Sequence, residues 1–107
     1  MKDTAKIRED VIAALKDVID PETGADVMRM RLVLDLQIHD DGTAEYIFRP
    51  SSPLCPIALK LVMDIIEAIK PVEGVTDQKV TVVDYSGADA LNAILSTLPL
   101  AKNQGQP

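Results

Sequence analysis

The sequence predicts a two-layer α+β sandwich in the order helix, strand, strand, helix, strand, closed by a short C-terminal helix. Three observations carry this. Two apolar stripes recur at helical spacing and each is cut off by a proline. Between them, two alternating segments flank Asp40-Asp41-Gly42, as a hairpin requires. A third alternating segment follows the second stripe, and three short strands need helices on one face to bury an apolar surface.

The elements follow in order. From Thr4 to Ile19, Ile7, Val11, Ile12, Ala14, Leu15, Val18 and Ile19 recur on one helical face. Asp3 or Thr4 can cap the first turn, and Pro21, which lacks an N–H and biases Asp20 away from helical dihedrals, predicts a stop at Asp20. After a turn through Glu22-Thr23-Gly24, Leu32, Leu34, Leu36 and Ile38 alternate with Val33, Asp35, Gln37 and His39, predicting a strand whose leucines face inward. Ala44, Tyr46 and Phe48 then alternate with Glu45, Ile47 and Arg49 in its hairpin partner.

Prolines 50, 53 and 56 preset the loop Pro50-Ser51-Ser52-Pro53-Leu54-Cys55-Pro56. The second helix follows on the stripe Ile57, Ala58, Leu61, Val62, Ile65, Ile66 and Ile69, with Pro56 expected at its first position and Pro71 beyond its end. Glu73-Gly74-Val75 turns the chain into a third strand containing Val80 and Val82, expected to pair with the hairpin. Leu91, Ile94, Leu95 and Leu98 mark one face of a last helix from Ala88 to Leu98.

A chain of 107 residues suits one hydrophobic core, so a single domain over 1–99 is expected, with a flexible tail at 100–107. The 47% hydrophobic and 26% charged composition is that of a folded soluble protein, and only 3% aromatic content makes its core aliphatic. A net charge of −6 repels phosphate backbones and anionic lipid, which argues against nucleic acid and membrane as partners. No apolar run follows the charged start Met1-Lys2-Asp3, so a cytoplasmic setting is expected. The single cysteine rules out an internal disulfide or a CxxC redox pair.

Cys55 is the leading candidate for chemistry. With a helix beginning at Pro56, its sulfur would face unpaired backbone N–H groups and the positive end of the helix dipole, which favour thiolate. Such a thiolate can bind iron or a cluster, or attack an electrophile, whereas a lone cysteine is otherwise a small buried hydrophobe. One thiolate does not complete a cluster, so binding would be transient and shared. Asp20 and Glu22 place two carboxylates around Pro21, suited to orienting a metal or receiving a basic partner, or simply forming a solvated turn. His39 has no second histidine at ligand spacing and reads as an exposed hairpin residue. Ser51 and Ser52 lack a plausible base and oxyanion hole. No two glycines stand three apart, so the GxxG loop of a KH-type RNA-binding fold is missing.

Together, Asp20-Pro21-Glu22, Leu32-Val33, Ser51-Ser52-Pro53-Leu54-Cys55-Pro56 and Val72-Glu73-Gly74-Val75 resemble the metal-sulfur cluster biosynthesis family. That family, also catalogued as domain of unknown function fifty-nine, includes SufT, PaaD and the cytosolic iron-sulfur targeting adaptors. The resemblance runs from about Ile7 to Val83 and implies an iron-sulfur cluster assembly-type domain. It implies an accessory, carrier or targeting factor in metalloprotein maturation and not an enzyme. The family motif carries over to Asp20, Pro21 and Glu22, its cysteine to Cys55, and its preceding hydroxyl residues to Ser51 and Ser52. Iron or an iron-sulfur cluster would be held transiently, shared with client apoproteins, with other assembly proteins or with a second copy in a homodimer.

Two departures stand out. Many members carry glycine at the position of Arg31, so the backbone approach that glycine permits would be blocked or reshaped here. Leu54 replaces the usual glycine before the cysteine and would make the site more apolar and the thiol less exposed. The segment from Asp84 to Leu98, past the shared core, is a candidate partner surface. Two other readings compete: a thiol enzyme with Cys55 as nucleophile, which lacks a base close in sequence, and an interaction module with a structural Cys55.

Overall fold

The computed structural model describes residues 3–21 and 23–97. Its elements are α1 (Thr4–Leu15), β1 (Val33–Ile38), β2 (Thr43–Phe48), α2 (Ala58–Ile69), β3 (Asp77–Val82) and α3 (Ala88–Thr97). The α+β class and element order match the sequence reading. The expected domain limit at 99, the tail 100–107 and Leu98 lie outside the described residues.

Helix α1 starts where its cap predicts, with the Asp3 carboxyl accepting from the Lys6 N–H. It ends at Leu15, earlier than expected. Val18 and Ile19 extend the helical apolar pattern, but other partners claim them. The Val27 N–H donates to the Val18 carbonyl at 3.0 Å, and Ile19 forms an antiparallel bridge with Asp26. Asp20 therefore sits in a short irregular hairpin, not at a helix end.

The sheet is mixed, in the order β1-β2-β3. β1 and β2 form the antiparallel hairpin, and β3 runs parallel to β2, so α2 serves as the crossover that parallel neighbours require. Ala44, Tyr46 and Phe48 of the central strand are buried and alternate with half-buried Thr43, Glu45 and Ile47, as predicted. β1 departs from prediction. The pairing shifts by one residue between Leu34 and Gln37, and Asp35 takes φ 53°. That bulge breaks the alternation, so Val33 and Leu36 are buried while Leu34 is half-buried.

Helix α2 buries Ala58, Leu61, Val62, Ile65, Ile66 and Ile69, each of the larger side chains contributing roughly 1.5–3 kcal/mol of transfer free energy. It begins at Ala58 with Ile57 as its cap residue, two positions later than expected. α1 packs on α2 and β1, and α3 packs on β3. Beneath α2, the Tyr46 hydroxyl donates to Gln78 Oε1 at 2.8 Å, and Gln78 Nε2 donates to the Ile66 carbonyl at 3.0 Å. This satisfied polar link fixes the helix over the strands. Burial pushes the Tyr46 phenol well above its ordinary pKa.

α3 is held by buried Leu91 and Leu95, while Ile94, expected on the same buried face, is 48% exposed. Asn92 accepts from the Val82 N–H at 2.8 Å and donates to the Val82 carbonyl at 3.0 Å. Its amide thus occupies the donor and acceptor that an added strand would use on β3.

Candidate functional site

In a parallel pair, the loops leaving the strands' C-terminal ends converge at one edge of the sheet, where ligand crevices form. Here those loops are 49–57 after β2 and 83–87 after β3, joined by the turn 27–32 that leads into β1. The loop with Cys55 and the segment past the shared core meet directly, because the Ser86 N–H donates to the Pro53 carbonyl at 2.8 Å. Arg49 Nε also reaches Asp84 Oδ2 at 3.4 Å.

Two adjoining clefts share Arg49, Pro50 and Ser51. One, about 540 Å³, is completed by Pro53, Asp84, Tyr85 and Ser86. The other, about 450 Å³, is completed by Met30, Arg31, Leu32 and Leu34. Ser51 lines both. Ser52 turns its Oγ to the Leu54 N–H at 3.2 Å and shapes the loop.

Cys55 turns away from these clefts. Its side chain is 3% exposed and belongs to the hydrophobic core, whereas Leu54 beside it is 76% exposed. Leu54 points outward and so is not what covers the thiol. The loop closes over Cys55 by backbone bonds: its N–H donates to the Ser52 carbonyl at 3.1 Å, and its carbonyl accepts from the Ala58 N–H at 3.4 Å. α2 starts only at Ala58 with Ile57 as its cap residue, so Cys55 stands two positions before the cap and not directly before the first helical residue, as expected from Pro56.

Asp20 is 1% exposed, which replaces the solvated turn by a buried acidic residue. Its N–H donates to the Ala25 carbonyl at 2.9 Å, and its own carbonyl accepts from Thr23 and Gly24. Gly24, at φ 74°, permits that tight return. Glu22 lies outside the described residues. His39 is half-exposed and meets Glu45 Oε1 at 2.6 Å across the hairpin. Among the described residues, no three His, Cys, Asp or Glu side chains form a group able to hold a metal ion.

Arg31 keeps the backbone shape that glycine adopts freely. It takes φ 59°, with its N–H donating to the Met28 carbonyl and the Leu32 N–H to the Val27 carbonyl. This pair of bonds makes a Schellman cap with Arg31 in its left-handed position. Sequence reading singled out Arg31 only as a departure, missed Arg49, and reached Asp84, Tyr85 and Ser86 only as part of a candidate partner surface, not as cleft residues. Their available signal was position: the first residues after two parallel strands.

Comparison with known proteins places this geometry. The family model described as iron-sulfur cluster assembly protein matches residues 8–82. An uncharacterized protein of Methanocaldococcus jannaschii is 33% identical over 88 residues, covering 82% of this chain and 93% of that one. The Bacillus subtilis Fe-S protein maturation auxiliary factor YitW is 31% identical over 77 residues, covering 72% of this chain and 76% of its own. The crystal structure of a domain of unknown function, DUF59, from Bacillus anthracis superposes with a TM-score of 0.69 at 24% identity, covering 89% of this chain and 96% of that one. That last likeness is one of fold.

Proposed function

The chain belongs to the iron-sulfur cluster assembly protein family, and from that membership we propose that it is an auxiliary factor in the maturation of iron-sulfur proteins. The family match over residues 8–82, which spans the Asp20 turn and the Cys55 loop, is the observation that carries the reading. A relative named as a maturation auxiliary factor supports an accessory role over a catalytic one.

In this reading the cluster or iron ion is cargo. Cys55 is the sole cysteine of the sequence, so a cluster engaged through it takes its remaining ligands from a client apoprotein, another assembly protein or a second copy of the chain. The 3% exposure of Cys55 sets the sequence of events: the loop opens first, then the sulfur is presented. The loop is suited to this, because Ser51, Ser52, Pro53 and Leu54 are exposed and the Ser86–Pro53 bond pins its middle. A partner docking in the cleft lined by Pro53 and Ser86 would displace that pin and uncover the thiol. Asp20 acts by holding the opposite turn in shape, and a reducing, cytoplasmic setting keeps the thiol available.

The burial of Cys55 favours a second reading, in which the cysteine is a core residue and the chain works purely as a targeting adaptor. Anaerobic incubation with iron and sulfide, with and without a client apoprotein, separates the two. Carrier action predicts visible absorbance that depends on Cys55 and requires the client. Adaptor action predicts client capture that survives Cys55→Ala, and no Cys55-dependent absorbance sinks the carrier form.

A further inference from the structure

Arg31 and Arg49 both line one cleft of about 450 Å³, a volume suited to a small ligand. Its polar lining is completed by Ser51, and Leu32, Leu34 and Pro50 give it apolar lining as well. We infer that this cleft binds an organic carboxylate with a short apolar body.

The first ground is the chemistry of the two arginines. Two guanidinium groups present planar donor forks of the geometry that carboxylates accept. Arg31 is exposed and makes no side-chain ion pair or hydrogen bond among the described residues. The second ground is that a carboxylate already sits at Arg49. Asp84 Oδ2 approaches its Nε at 3.4 Å, a one-point contact between side chains that are 57% and 69% exposed. Asp84 lines the adjoining cleft, and such an exposed pair contributes little and exchanges readily, so Arg49 can turn from it to a better-placed carboxylate in this one. The third ground is charge. A chain of net charge −6 repels polyanions, which selects a single carboxylate over phosphate-rich ligands.

A free organic acid and an acidic side chain on a protein share this chemistry. The ¹⁵N-labelled full chain is therefore titrated separately with 4-methylpentanoate, with the blocked peptide acetyl-Ala-Leu-Glu-Ala-amide and with inorganic phosphate. Saturable amide shifts confined to residues 30–34, 49 and 51, half-saturating at about millimolar carboxylate, are expected for one or both organic probes. Tighter binding of the free acid assigns the cleft to a small metabolite, and tighter binding of the peptide assigns it to a protein side chain. Arg31→Gln and Arg49→Gln each weaken binding by about fivefold or more, and Asp84→Asn strengthens it by about threefold. All three residues are exposed, so the unchanged remainder of each spectrum reports an intact fold. The assignment is overturned if neither carboxylate saturates, if the double arginine variant binds as the parent does, or if phosphate binds as tightly. It stands apart from the maturation role, since the titration contains no iron, sulfide or client.

Discussion

Replacing Ser86 by proline isolates the contact that keeps the Cys55 loop shut. The Ala88 N–H donates to the Tyr85 carbonyl at 3.0 Å, so Ser86 occupies the second position of a β-turn, where proline's fixed φ is favoured. The substitution removes one N–H and with it the 2.8 Å bond to the Pro53 carbonyl, two residues from the thiol. A net hydrogen bond contributes about 0.5–1.5 kcal/mol, so loop opening should become roughly 2- to 13-fold more populated. Proline also restricts the unfolded chain, which holds the change in global stability within about 1 kcal/mol. Iodoacetamide labelling of Cys55, followed by intact mass under native conditions, reads the opening directly, and urea unfolding of the same samples reads global stability. In the parent, labelling should be slow because the side chain is 3% exposed. In Ser86→Pro it should accelerate by that factor. Equal rates in both proteins, tracking global unfolding, would refute the idea that this bond controls access to the sulfur.

Four further outcomes test the scaffold. Gln78→Leu leaves the buried Tyr46 hydroxyl without its acceptor and should cost about 1–3 kcal/mol in urea unfolding, whereas adding Tyr46→Phe should recover about 1 kcal/mol or more; simple additivity would contradict the link. Since burial raises the folded-state pKa of Tyr46 above its ordinary value of about 10, its neutral phenol stabilises fully below that pH, and the contribution is lost as pH rises towards the folded-state value. Tyr46→Phe should therefore flatten the alkaline decline in stability. Arg31→Gly removes a left-handed non-glycine residue and should stabilise by about 1 kcal/mol, with a lower melting temperature as the contrary result. Asn92→Ala should cost about 1–3 kcal/mol and strip hydrogen-exchange protection from the Val82 amide, which unchanged protection would contradict.

What sequence could reveal divides along the line between local pattern and long-range contact. α2 and β2 were legible because their apolar residues keep one period from end to end and their burial follows it. α1 was overextended because Val18 and Ile19 fit the helical stripe, while the chain instead spends them on pairing with Val27 and Asp26. The alternation read for β1 holds at Leu32, Leu36 and Ile38 but fails at Val33 and Leu34, because the bulge at Asp35 inserts a residue that no periodicity announces. The same limit applies at the site. Cys55 was identified from its proline-rich loop and family motif, but its inward orientation depends on packing against the core. Asp20 read as a solvated turn because its burial is set by the return of the chain at Ala25. The clefts themselves combine residues from around positions 31, 49 and 85, a convergence created by the antiparallel pairing of β1 with β2 and the parallel pairing of β2 with β3.

The proposal that Cys55 supplies a transient ligand is tested most directly by cluster delivery. An apoprotein client is matured anaerobically with iron and sulfide, and its regained cluster absorbance is followed with the parent chain, with Cys55→Ala and with no added chain. Alanine, unlike serine, leaves no buried hydroxyl to destabilise the core around the 3% exposed position, so a folded variant reports on the sulfur alone. Carrier action predicts acceleration by the parent and a background rate with Cys55→Ala. Equal acceleration by both would contradict it and leave Cys55 as a core residue.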